Sequence, residues 1–306
     1  MAHLLVAAGA VALIACRTGA VGTLVGTLLM GHSFAGLAFV GHEVLHGAVV
    51  RRQGPRMVLG WLCFLPFVVS PRLWVAWHNQ VHHSHTMEEG VDPDAYPTLE
   101  EYRSSRLLRV IDRFSLGRFQ PGGLFCLALG FTVQSGQVLF KQRSLKYLTP
   151  KNWRRALMET TLGVAAWTAF GVWGGPRLFV FAFLLPLAIG NAVVTAYILT
   201  NHSLSPLTEV NDPLLNSLSV TLPWWLSKLH LDFGLHVEHH LFPAVSSAHA
   251  ETVRAAVVRR WPERYQSMPF LRALGRLIST PRIYKEPRTL VDPKSGREFP
   301  TLAGIG

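Results

Sequence analysis

Charge is scarce in this chain. Only 15% of its 306 residues are Asp, Glu, Lys or Arg, against roughly 25% in overall protein composition. That shortage excludes disorder as a whole-chain state, which needs low hydrophobicity and high net charge. It also argues against an ordinary cytosolic globule. Cysteine is scarce too: Cys16, Cys63 and Cys126 are widely spaced and odd in number. They build no disulfide framework, zinc ribbon or Cys-ligated iron–sulfur cluster. Acidic residues number 18 against 29 Lys and Arg, which leaves a net charge of +11. With a mean hydropathy of +0.27, that excess marks cytoplasmic loops of a membrane protein and not nucleic-acid binding. No Lys or Arg precedes the first apolar run. The stretch Leu13-Ile14-Ala15-Cys16 looks like a lipoprotein box, but the basic start of a signal peptide is missing. The chain also lacks internal repeats, low-complexity tracts and linkers.

What it has is long uncharged runs, and about 20 such residues cross a bilayer as a helix. They are 2–16, 18–41, 57–71, 119–140, 160–176 and 178–208. Gly174-Gly175-Pro176 reads as a tight turn between the last two. Arg51, Arg52 and Arg56 follow run 18–41. Lys141, Arg143, Lys146, Lys151, Arg154 and Arg155 precede run 160–176, and Arg254, Arg259 and Arg260 lie in the tail. The positive-inside rule puts all of these in the cytoplasm. The expectation is four spans, 2–16, 20–41, 157–174 and 178–200, with both termini cytoplasmic. Runs 57–71 and 119–140 are read as helices in or dipping into the cytoplasmic interface. Residues 251–306 hold six prolines and read as a cytoplasmic tail packed on the catalytic face, behind a membrane domain over 1–250.

Histidine is plentiful and clustered. Nine of the 14 histidines fall in three windows, 42–46, 78–85 and 236–240. His42 and His46 are four apart. His78 and His82 are four apart, with His83 adjacent. His236 stands three and four before His239 and His240. On a helix such spacings share a face, so each window aims two or three imidazoles at one point. Imidazole suits iron, zinc and copper, and eight or nine of them serve two metals. A transporter would bury ionisable residues along its spans. Here only His32 lies mid-span, so a metal centre at the span ends fits better.

The windows read His42-Glu43-Val44-Leu45-His46, His78-Asn79-Gln80-Val81-His82-His83 and His236-Val237-Glu238-His239-His240, the last followed by Leu241-Phe242-Pro243. In order, separation and surrounding spans the chain resembles the membrane fatty acid desaturases over about residues 25–250. Gly90-Val91-Asp92-Pro93-Asp94 resembles the loop after that family's second box. The resemblance implies an all-α integral membrane fold of four transmembrane helices, with a cytoplasmic helical cap holding a di-iron site. It carries His42, His46, His78, His82, His83, His236, His239 and His240 over as ligands of two non-haem Fe2+ ions. His202 is the matching ninth ligand, with His230 as the alternative. Glu43, Asp92, Asp94, Glu238 and Asn201 are candidates for groups that orient the ligands. His85, His3 and His249 have no such role.

The family takes hydrogens from two neighbouring methylenes with dioxygen and two electrons, giving water and a cis double bond. The resemblance therefore implies an acyl desaturase acting on a lipid-, coenzyme A- or carrier-protein-linked chain. Hydroxylases, acetylenases and carotenoid ketolases or hydroxylases share the boxes and are the alternative. Trp74, Trp77, Trp224 and Trp225 are candidates for lining an apolar tunnel or for an interfacial belt. The chain carries no electron-transfer centre besides the boxes, so a separate donor such as a ferredoxin is implied. The basic cytoplasmic face would attract an acidic donor or anionic lipid.

Overall fold

The computed structural model describes residues 2–141 and 147–302. Arg143 and Lys146 of the expected basic loop lie outside them. The chain divides into two compact units: residues 1–76 with 127–195, and residues 77–126 with 196–306.

The first unit is helical. Ala2–Ala15 and Gly19–His46 form a hairpin whose turn holds Arg17 and Gly19 at φ 52° and 82°. Gly26 matters for the hairpin's closeness, because a Cβ there would lie 2.9 Å from the Ala10 carbonyl oxygen. The first helix has 14 residues, about 21 Å at 1.5 Å per residue. It is therefore short against a hydrocarbon core of about 30 Å. The second has 28 residues and easily spans that distance.

Helix Gln53–Phe64 runs into a 3-10 turn, Leu65–Phe67, and the chain then bends by 100° into Pro71–His82. Pro66 and Pro71 cannot donate to a continuing ladder, and Ser70 caps the new helix by accepting from the Leu73 N–H at 3.3 Å. The bend is pinned from helix Pro150–Phe179. Glu159 pairs with Arg72 and accepts from the Ser70 hydroxyl at 2.6 Å, and its carbonyl accepts from the Trp61 indole at 3.0 Å.

Helix Gly123–Lys141, expected at the interface, is long and apolar enough to cross from Gly123 to Phe140. Asn191 clasps it: its amide oxygen accepts from the Thr132 N–H and its NH2 donates to the Thr132 hydroxyl, both at 3.1 Å. The run Pro150–His202 is broken at Gly175 (φ 73°, ψ 174°), at the turn read from Gly174-Gly175-Pro176. By length and composition three described helices can cross a membrane, or four if the bent pair counts as one span. Ala2–Ala15, one of the four expected spans, is not among them.

The second unit holds the second and third histidine windows, the tail and five short strands. Here the all-α expectation needs correcting. β1 (Ser219–Thr221) pairs in parallel with β2 (Ser267–Pro269). β3 (Ile283–Glu286), β4 (Thr289–Val291) and β5 (Glu298–Pro300) form an antiparallel sheet, with Tyr284 opposite Leu290 and Leu290 opposite Phe299. The prolines that exclude long helices from the tail favour extended chain at strand ends. The sheet buries Tyr284 and Leu290 against Met87 and Leu207, so the tail packs on the loop after the second window and on the chain leaving His202. A second core joins Leu214, Val237 and Val257 behind the third window. Arg282 is 1% exposed. Its guanidinium donates to the Ser203 carbonyl at 2.6 Å and the Leu277 carbonyl at 2.9 Å. The residue next to His202 is thereby fixed from the tail.

Candidate metal centre

His42 and His46 close the last turn of helix Gly19–His46 in the first unit. The i, i+4 spacing puts their rings 4.6 Å apart, and both stand edge-on to Trp74 at 5.3 and 5.4 Å.

In the second unit, the second window departs from the α-helical expectation. Val75–His82 is a π-helix, and the His83 N–H bonds to the His78 carbonyl five residues back at 3.0 Å. The wider turn brings His83 edge-on to His78 at 4.8 Å, with their Nε2 atoms 3.2 Å apart, while the His82 ring lies stacked on His78 at 5.1 Å. His239 Nε2 lies 3.1 Å from His83 Nε2. His82 turns instead toward His202, His236 and His240, all four of them buried, with ligand atoms within 4.8 Å of one another. His202 Nε2 is 2.8 Å from His236 Nε2, which is 3.2 Å from His240 Nε2. The second and third windows are therefore each divided between two groups. The third is an α-helical turn, His236–Leu241, in which His236 and His240 share a face and His239 points to the other group.

The outer nitrogens fix the tautomers. His82 Nδ1 lies 3.1 Å from both Asp92 oxygens and 3.4 Å from Asp94 Oδ2. His202 Nδ1 donates to the Asn216 carbonyl at 3.1 Å. The Thr86 hydroxyl donates to the His82 carbonyl at 2.6 Å, which leaves its oxygen to accept from His240 Nδ1 at 3.3 Å. Burial would lower the metal-free His82 pKa, but Asp92 and Asp94 outweigh it and raise it to about 9, so that a metal would replace a proton there. With protons on Nδ1, His202 and His240 turn bare Nε2 lone pairs toward His236 Nε2. Lone pairs facing each other at about 3 Å repel unless a cation sits among them, and about 3 Å is the edge of a polyhedron with metal–nitrogen bonds near 2.1 Å. The donor set fits a metal.

Electrostatics agree. Burial, followed by the charge of His82, lowers the His239 pKa to about 3, and burial with the neighbouring imidazoles holds His240 well below its usual value. Both are neutral imidazoles at pH 7. Burial would raise Asp92, but His82 and the N–H groups of Met87 and Asp94 outweigh it and hold the carboxyl below its usual range. Asn201 supplies a further sign. It is fully buried beside His202, and neither amide atom has a hydrogen-bond partner among the described residues. An orphaned amide at this position fits a hydrated ion.

Residues 19–272 match the profile of the family described as "Fatty acid desaturase". The chain belongs to that family. The chain is 22% identical over 242 residues to an sn-1 oleoyl-lipid 12-desaturase of Synechocystis, covering 76% of this chain and 67% of that protein. It is 23% identical over 267 residues to an sn-1 oleoyl-lipid 12-desaturase of Picosynechococcus, covering 82% and 73%. It is 21% identical over 273 residues to a chloroplastic omega-6 fatty acid desaturase of Spinacia oleracea, covering 83% and 58%.

Other expected residues are placed as follows in the desaturase. Glu238 is buried, but its carboxylate accepts from the Ser219 hydroxyl and the Tyr265 hydroxyl, each at 2.6 Å. It anchors the third window from behind. His230 meets the Tyr197 hydroxyl at 2.8 Å and joins neither histidine group. His85 pairs with Glu88 at 2.6 Å. Asp94 accepts from the Trp77 indole at 3.2 Å. Glu43 is half-buried on helix Gly19–His46. Trp224 and Trp225 are 78% and 56% exposed, which suits an interfacial belt better than a tunnel wall. Sequence reasoning missed Thr86, Asn216, Ser219 and Tyr265. Thr86 stands four residues after His82, where a continuing helix would have exposed it to view. Nothing in the sequence singles out the other three.

Proposed function

We propose that this protein is a membrane acyl-lipid desaturase that introduces a cis double bond with dioxygen and two electrons. The observation that carries the reading is the buried, all-imidazole donor set of the second unit, in a chain of the desaturase family. The ligands of two irons are His42, His46, His78, His82, His83, His202, His236, His239 and His240, with the first two assigned by the box pattern. His202 is preferred to His230, because it lies among His82, His236 and His240 while His230 serves Tyr197. Bound iron would supply the activation of dioxygen needed to attack an unactivated methylene.

The protein's own part is to hold the imidazoles neutral and oriented. Asp92, the Asn216 carbonyl and Thr86 fix three ring tautomers, and the buried surroundings exclude water. The relatives named for oleoyl-lipid desaturation favour a lipid-linked acyl substrate. A separate reduced donor such as a ferredoxin delivers the electrons. The Lys and Arg distribution supports a cytoplasmic catalytic face and C-terminus, with residues 251–306 serving as a tail on that face.

Fatty acid methyl ester analysis of cells expressing the chain, beside a His239→Ala control, tests this. New unsaturated acids absent from the control are expected. Hydroxylated acids would move the assignment to a hydroxylase. An unchanged acyl profile from an iron-loaded protein would move it to a non-acyl substrate such as a carotenoid.

A further inference from the structure

A cleft of about 650 Å³ opens in the second unit, away from the histidine groups. Four arginines line it, Arg264, Arg272, Arg276 and Arg288, against one carboxylate, Glu263. Arg264 is already paired with Asp212. Among the described residues, no carboxylate lies within ion-pair distance of the other three. Their placement is built by the fold. Arg272 and Arg276 are four apart on helix Phe270–Ser279, whose adjacent face buries Ala273 and Leu277. Arg288 comes from the turn between β3 and β4. Converging unpaired guanidiniums repel one another, and a folded chain holds them together at a cost that an anion relieves. The volume suits a small molecule, while a protein partner would need about 800 Å² of face. Guanidinium forks match phosphate oxygens in pairs.

The cleft also shares a wall with the histidine site. Tyr265 lines it and donates to Glu238, the residue between His236 and His239. Leu215 and Leu218 line it too, flanking Asn216, whose carbonyl orients His202.

We propose that this arginine cleft binds the phosphoryl group of a phosphorylated ligand and positions it against the third histidine window. The ligand's acyl identity rests on the desaturase reading; phosphoryl binding does not. The phosphoryl group could come from a phospholipid headgroup or from a soluble carrier such as coenzyme A.

Calorimetric titration of pyrophosphate and of coenzyme A into the full chain in a phosphate-free maltoside detergent tests the proposal. Saturable binding is expected. Arg272→Gln with Arg276→Gln should weaken it at least tenfold with the thermal midpoint unchanged, and Arg259→Gln, outside the cleft, should leave it intact. Arg288→Gln alone, in a surface turn, gives a second loss should the double variant misfold. Repeating the titration in phosphatidylglycerol nanodiscs separates the sources: loss of the pyrophosphate site there assigns a lipid headgroup, and retention assigns a soluble carrier. Absence of saturable binding, or equal binding by the folded variants, overturns the proposal. So does tight binding of an acidic ferredoxin by a protein that ignores pyrophosphate and coenzyme A. An unchanged acyl profile with intact pyrophosphate binding would sink the desaturation reading and leave the cleft standing.

Discussion

Segments 78–83 and 236–240 each carry three histidines, yet they wind differently. The first ends a π-helix, so the Nε2 atoms of residues five apart, His78 and His83, meet at 3.2 Å. The second is an α-helical turn, so residues four apart meet and His236 lies on His240. Each sends its remaining histidine to the other's group. They also differ in support. The first is backed by a buried carboxylate, Asp92, bonded directly to the His82 ring. The second is backed by Glu238, which touches Ser219 and Tyr265. One acid tunes a ring and the other holds a helix. A carboxylate beside a histidine box therefore has no fixed role, because burial and the nearest donor decide it.

Removing a histidine from each group breaks the comparison most sharply. His83→Ala and His236→Ala should both cut product formation by more than about 100-fold, beyond the ~10–100-fold that outer partners carry. Metal analysis should find each variant depleted of iron. If His83→Ala keeps its iron and activity, the π-helical pairing serves no metal.

Asp92→Asn comes next. It keeps the size and loses the charge facing His82, and about a 10–100-fold loss in iron affinity or turnover is expected. Titrating iron into the metal-free variant measures it, and wild-type affinity would remove Asp92 from the site.

Glu238→Gln should act on the fold instead. Its Ser219 and Tyr265 donors lose a charged acceptor, at about 1–3 kcal/mol of stability. Denaturation in detergent should show that loss, with the iron affinity of the folded fraction unchanged. A loss of affinity as large as that of Asp92→Asn would make the two acids equivalent.

The smallest effect concerns pH. Burial holds His239 at about 3 and His240 also below its usual value. Between about 3 and 6.5 the unfolded chain then binds protons that the folded chain refuses, so stability rises with pH through that window and is fully present above it. Asp92, lowered by His82, adds stability above the usual carboxylate pKa that fades as pH falls further. The metal-free protein should melt a few degrees lower at pH 5 than at pH 7, with the difference reduced in His239→Ala. A flat profile would mean that the imidazoles are not held neutral.

The sequence by itself determined the membrane character, the three windows, the family and most of the ligand candidates, because each rests on local spacing or composition. Gly174-Gly175-Pro176 marked its turn for the same reason: backbone limits act over two or three residues. Only the tertiary structure decided which histidine meets which. A π-helix breaks the i, i+4 rule by one residue, and nothing in Val75–His82 announces it. The family resemblance already preferred His202 to His230, and only the fold shows what each ring faces across a gap of about 30 residues. The small sheets went unread because their strands are three or four residues long, too short for an alternation to show. Partners such as Asn216, Ser219 and Tyr265 act through distant packing, and a linear pattern carries no trace of which main-chain carbonyl or hydroxyl will stand behind an imidazole.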